Sequence, residues 1–89
     1  MQFEWDEEKR KSNFDKHGID FEIAVKVFFV EHISYRSDQQ KEVRYLATGK
    51  VLDIIISIVY TIRGEKIRII SARKASRNER KKYRAVFEE

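Results

Sequence analysis

The stretch Lys66-Ile-Arg-Ile-Ile-Ser-Ala-Arg-Lys-Ala-Ser-Arg-Asn-Glu-Arg-Lys-Lys-Tyr-Arg84 decides the reading of this chain. Lys66 to Ala72 reads as a β-strand, with Lys66 and Arg68 on one face and Ile67 and Ile69 on the other. The chain is expected to turn between Ser71 and Ala75. Ser76-Arg-Asn-Glu79 then has the spacing of a capping box and opens a helix. The stretch holds nine Lys/Arg and one acid. Its net charge is +8 against +4 for the whole protein, which leaves −4 for the rest. The basic character is therefore a local patch. Concentrated cations suit a polyanion, because neutralised phosphates release their counterions.

Working outward, Gly64-Glu65 is a tight turn between this strand and Ile54 to Arg63. That run is apolar on both faces, as a central strand covered on both sides would be. Glu42 to Thr48 and Glu31 to Arg36 read as two more strands, the latter with Ile33 and Tyr35 on one face. Ser37 to Lys41 and Gly49 to Asp53 are expected turns. At the start, Phe3 and Trp5 share one face of a short strand. Asp6 caps a helix that runs to about His17, with Gly18 as its left-handed stop. Its only large apolar residue is Phe14, so it reads as a cover on the surface. Asp20 caps a second helix, Phe21 to about Phe29, whose stripe is Phe21, Ala24, Val25 and Phe28. The expected fold is α+β: a short N-terminal strand, two helices, a four-stranded antiparallel meander and a C-terminal helix.

Eighty-nine residues make one domain, 1–89. With no Cys and two His, zinc sites of the usual types are excluded, and no metal or cofactor is expected. The acidic start, Met1-Gln-Phe-Glu-Trp-Asp6, lacks the apolar region of a signal peptide. No run is long enough to span a bilayer. A cytoplasmic location without membrane contact is the expectation.

Arg68, Arg73 and Lys74 are the candidate phosphate-handling residues, since a guanidinium fork bonds two oxygens at once. Arg77, Arg80, Lys81 and Arg84 fall on one helix face, and with Lys66 they offer a landing surface for RNA. Each could instead be a solvated surface charge. Arg44 is a further candidate if it faces the same cleft as Arg68. Tyr83 could stack on a base or move a proton, but its spacing with Val86 and Phe87 suits the core equally. His17 could act as acid or base; it could equally be a cation stabilised at a helix C-terminus.

Phe3-Glu-Trp-Asp6, Asn13, Lys16-His-Gly18, Phe21-Glu22 with Ala24 and Val27-Phe28, and Arg44-Tyr45 with Ala47 and Gly49 resemble the BrnT family. So do Val59-Tyr-Thr61, Arg63-Gly64, and Ile67-Arg-Ile-Ile-Ser-Ala-Arg-Lys-Ala75 through Glu79-Arg80 and Tyr83. The resemblance runs from Phe3 to Tyr83. One departure is Asp53, where members usually carry a glycine. The resemblance implies a RelE-like fold and a metal-independent endoribonuclease toxin of a type II toxin–antitoxin module, which stops translation by cutting RNA. It implies neutralisation by a BrnA-like ribbon-helix-helix antitoxin, with operator DNA reached only through that partner. A toxin homodimer within the complex is one arrangement this admits. Catalysis by 2′-hydroxyl attack needs a base, cations on the phosphorane and an acid. Arg68, Arg73 and Tyr83 are the positions the resemblance carries over, with His17 the other candidate for proton transfer. The rival readings are a non-catalytic RNA- or DNA-binding module, and a basic patch that serves mainly to receive an acidic antitoxin segment.

Overall fold

The computed structural model describes residues 1–38 and 42–88. The expected turn over Ser37 to Lys41 lies partly outside these residues. β4 (Ile54–Arg63) is the middle strand of a five-stranded sheet ordered β1-β5-β4-β3-β2. Its two apolar faces explain its place. Ile56, Ile58 and Tyr60 enter one core layer, and Ile55 enters a second on the opposite side. The other strands are β1 (Gln2–Glu4), β2 (His32–Arg36), β3 (Tyr45–Val51) and β5 (Lys66–Lys74). β2 to β5 pair antiparallel in succession, and β1 pairs with β5 in parallel. The sheet is thus five-stranded and mixed, because β1 joins the four antiparallel strands as a parallel edge strand. Phe3, opposite Ile67, directs β1 into the first core layer against Phe28 and Phe29.

α1 (Glu7–His17) has the expected caps: Asp6 accepts from the Glu8 and Lys9 amides, and Gly18 is left-handed at φ 72°. Its anchor is polar. Phe14 is 49% exposed, whereas Asn13 is buried. The Asn13 amide donates to the Ala72 carbonyl (2.8 Å) and the Ile19 carbonyl (3.2 Å), and its oxygen accepts from the Ala72 amide (3.1 Å). β1 covers the edge of β5 only over Lys66 to Arg68. Asn13 satisfies the amide and carbonyl of Ala72, which β1 does not reach, as buried peptide groups require.

α2 is only Phe21–Ala24, and Val25–Phe29 continues as a 3₁₀ turn. The expected single helix to Phe29 is corrected on this point. In the tighter winding, side chains three apart eclipse. Val27 therefore follows Ala24 into the core, although it falls off an α-helical stripe.

β3 begins three residues later than expected and includes Gly49, which is not part of a turn. A Cβ on Gly49 would lie 3.1 Å from Val27 Cγ1 and 3.2 Å from His32 Cβ, so any side chain there would push the 3₁₀ turn or β2 back by a few tenths of an ångström. The β3–β4 turn is Leu52-Asp53 alone, both with positive φ, the geometry of a two-residue type I′ hairpin. Asp53 thus occupies a position that favours glycine.

α3 (Arg77–Phe87) opens with the expected Ser76/Glu79 capping box. It covers one end of the second sheet face through Tyr83 and Phe87, against Ile55, Ala75 and Ile33.

Replacing Asn13 by Ala should remove about 2–4 kcal/mol of stability, since it strands buried backbone groups of Ala72 and Ile19. Urea unfolding checks this. A loss under about 0.5 kcal/mol, the level of an ordinary surface change, would mean that Asn13 does not anchor α1.

Candidate active site and basic surface

β5 runs on to Lys74, past the turn expected from Ser71. Arg73 pairs with Ser57, and Lys74 pairs with Ile56. This extension brings Arg73 onto the sheet. A register shift at Val59/Tyr60 decides which way it points. Arg68 stands opposite Thr61 and Arg73 opposite Ser57. Thr61 and Ser57 are four apart on β4, so they share a face. Strict alternation along β5 would put Arg68 and Arg73 on opposite faces. The bulge puts both on the face that α3 partly covers.

The two arginines are drawn apart on that face. Arg68 Nη1 bonds Glu4 of β1 at 2.7 Å. Arg73 bonds Glu79 of α3 with both terminal nitrogens, at 2.7 and 3.0 Å, and its Nη1 also donates to the Lys74 carbonyl at 3.3 Å. Glu79 accepts further from Ser57 Oγ and from the Ser76 amide, each at 2.8 Å. Ser57 in turn shares a bond with Thr48 at 2.8 Å. The result is a polar row, Thr48–Ser57–Glu79–Arg73, beneath the start of α3. These bonds hold Glu79 well below the ordinary carboxylate value, at about 2, with the Arg73 pairing the largest cause.

A guanidinium has five N–H donors. Glu79 and the Lys74 carbonyl take three of those on Arg73. Among the described residues nothing accepts from its Nε–H or from the second Nη2–H. These two lie side by side on one edge of the group. Arg73 is therefore held rigidly while it keeps a two-donor fork.

Tyr35, on edge strand β2, alternates with Ile33 and so shares the sheet face that α3 partly covers. Its ring, 40% exposed in its residue as a whole, carries the Lys82 ammonium 5.5 Å from its centroid. An apolar groove formed by Ile33, Tyr35, Ala85 and Val86 runs beside it.

The other candidates divide. Tyr83 is 6% exposed and packs on Phe87 with ring centroids 5.0 Å apart, as its core spacing allowed. His17 ends α1 and makes no hydrogen bond or ion pair among the described residues with Arg68, Arg73 or Tyr83. Arg44, just before β3, is bound to Glu42 at 2.9 Å. Lys66 is exposed at the start of β5. On the far flank of α3, Lys74, Arg80 and Arg84 line a groove with Lys50, and Arg77 and Lys81 extend the cationic surface along the helix. Arg80 is fixed there by its bond to the Ala75 carbonyl at 2.7 Å. No group of three or more His, Asp and Glu side chains suited to a metal occurs among the described residues. No described helix is long and apolar enough to cross a membrane.

Sequence reading missed Ser57, Tyr35 and the site role of Glu79. Ser57 was signalled as a polar break in an apolar strand, and Tyr35 by its alternation with Ile33.

Residues 5–79 match the family model for BrnT, the ribonuclease toxin of type II toxin–antitoxin systems. The chain belongs to the BrnT family. A search of curated proteins finds no match to this chain. The matched segment includes Arg68, Arg73, Ser57, Tyr35 and Glu79. Membership implies an RNA substrate and an antitoxin partner.

The lowered Glu79 value carries a sign. A carboxyl whose folded value lies below its unfolded value of about 4.5 adds stability above that pH, and this is lost as pH falls toward 2. Unfolding measured from pH 6 to about 2 should therefore show wild type losing its advantage over Glu79→Gln across that window. A constant difference between the two would contradict the pairing.

Proposed function

We propose that this BrnT protein is a metal-independent endoribonuclease whose reaction centre is the Arg73 fork. The free Nε–H and Nη2–H would bond two oxygens of the scissile phosphate and stabilise the charge that grows as the adjacent 2′-hydroxyl attacks phosphorus and the P–O5′ bond breaks, leaving a 2′,3′-cyclic phosphate and a 5′-hydroxyl. Glu79 is too weak a base at neutral pH to take the hydroxyl proton. Its part is to aim and rigidify Arg73. We assign Tyr35, exposed on the same sheet face, the proton given to the leaving 5′ oxygen, in place of Tyr83, whose ring packs in the core; the 2′-hydroxyl proton passes to solvent water. Arg68 and Arg44 then bind flanking phosphates. The single observation that carries this reading is the half-buried Glu79–Arg73 pair with one donor edge left over.

The same reading includes a RelE-like layout of the fold, inhibition of translation in the cytoplasm, and neutralisation by a BrnA-like ribbon-helix-helix antitoxin. Operator DNA is reached through that antitoxin, and a toxin dimer within the complex is part of the proposal. Induced expression should arrest growth, and co-expression of a small neighbouring antitoxin gene should relieve it.

Purified protein should cut RNA in EDTA and leave 2′,3′-cyclic phosphate ends, and a single 2′-deoxy substitution at the cut position should abolish cleavage there. Arg73→Ala should lower kcat by about 10²–10³-fold, the usual cost of one charge-stabilising donor. Arg73→Lys should rescue it poorly, because an ammonium cannot form the fork. If Arg73→Ala weakens RNA binding while the wild type cuts nothing, the protein is a binding module.

A further inference from the structure

The groove on the far flank of α3 is not needed for the chemistry at Arg73. It is lined by Lys50 of β3, Lys74 at the end of β5, and Arg80 and Arg84 of α3, with Asp53 at the hairpin. Four cations from three separate elements are brought together there. Such a grouping costs repulsion unless an anion sits among them. Besides Asp53, the chain supplies one that bridges two of the cations. Glu88, which caps the C-terminus of α3, bonds Lys50 Nζ at 2.9 Å and lies 3.6 Å from Arg84 Nε. One carboxylate thus holds two of the four cations at once. Lys50 and Arg84 thus share one anion position, and a carboxylate fills it in the free protein.

We infer that this groove is a second phosphate subsite for single-stranded RNA, and that Glu88 is an internal stand-in which an RNA phosphate displaces. The identity of the ligand rests on the ribonuclease reading. Arg73 is tied to the first turn of α3, and Lys74, the next residue, lines the groove on the far flank of that helix. A strand whose scissile phosphate lies on the Arg73 fork can therefore pass the start of α3, by Arg77, and place a further phosphate between Lys50 and Arg84. Arg80, fixed on the Ala75 carbonyl, forms the floor of that path. The stand-in keeps the groove ordered and weakens adventitious anion binding. It also makes affinity depend on a displacement.

The test uses the full chain and a fluorescent 2′-O-methyl RNA hexamer, which cannot undergo 2′-hydroxyl attack, with anisotropy read over a range of salt. Glu88→Gln should bind the hexamer several-fold more tightly than wild type. Glu22→Gln, on α2, makes the same charge change on another surface and should show little gain. Lys50→Ala should weaken binding, and adding it to Glu88→Gln should cancel the gain. The double variant Lys50→Ala with Arg84→Ala should flatten the salt slope by about 0.7 for each phosphate that is no longer neutralised. All of these positions are on the surface, and thermal melts confirm folding. Equal affinities for Glu88→Gln and Glu22→Gln, or an unchanged affinity for Lys50→Ala, would overturn the subsite. If the hexamer behaves as expected while natural RNA is never cut, the subsite stands and the ribonuclease reading falls. If RNA is cut and these variants bind alike, only the subsite falls.

Discussion

One carboxylate ties the functional end of this molecule together. Glu79 takes bonds from Ser57 in the central strand, from both terminal nitrogens of Arg73 at the end of β5, and from the Ser76 amide that starts α3. Three elements meet on two oxygen atoms. Helix capping needs an acid at this place to satisfy a free amide, and the site needs one to fix a guanidinium. Both needs are met by the same side chain, so forming α3 and aiming Arg73 are one event. A charge pair partly withdrawn from water is expensive unless its donors and acceptors are used. Ser57, and behind it Thr48, help meet that condition, and no buried side-chain polar atom among the described residues lacks a partner.

The second constraint is the bulge in the β4–β5 ladder. Arg68 and Arg73 are an odd number of positions apart, so a regular strand would send one of them into the apolar layer beneath α2. The irregularity at Val59/Tyr60 restores both to the open face. It is also why the sheet can hold a continuous core on one side and a cationic, partly uncovered face on the other. α3 divides that cationic surface, with the Arg73 fork and Tyr35 on one flank and the Lys50/Arg84 groove on the other. Glu4, Glu42, Glu79 and Glu88 each neutralise one or more of its cations. The protein is basic in sum, but these cations are individually held, which sets their directions before any polyanion arrives.

Much of the fold was legible because local rules governed it. Asp6, Gly18, Asp20 and the Ser76/Glu79 box fixed helix ends, and the two-faced apolar run Ile54 to Ile62 fixed the central strand. The parallel pairing of β1 with β5 was not legible, because it joins segments far apart in the chain and no short-range pattern records it. Nor was the 3₁₀ winding after Ala24, which is imposed by the fit of Val27 and Gly49. Asn13 was visible only as a matching position in a resemblance. Its task is to satisfy Ala72, and that need exists only once the sheet edge is built. In the site, Arg73 could be chosen from its charge and junction position. Tyr35 could not be preferred to Tyr83, since which tyrosine stays exposed on the α3-covered sheet face depends on strand order and not on helical spacing.

The central claim is that Arg73, tied to Glu79, offers its remaining edge to a phosphate. The most direct measurement is the ¹H–¹⁵N signal of the arginine Nε–H groups during titration with a non-cleavable 2′-O-methyl dinucleotide. The account predicts that the Arg73 Nε–H signal shifts with saturable dependence on the dinucleotide while its terminal nitrogens remain protected by Glu79. An unmoved Arg73 signal beside a shifted Arg68 signal would contradict it, and would place the phosphate at the β1 edge of the sheet.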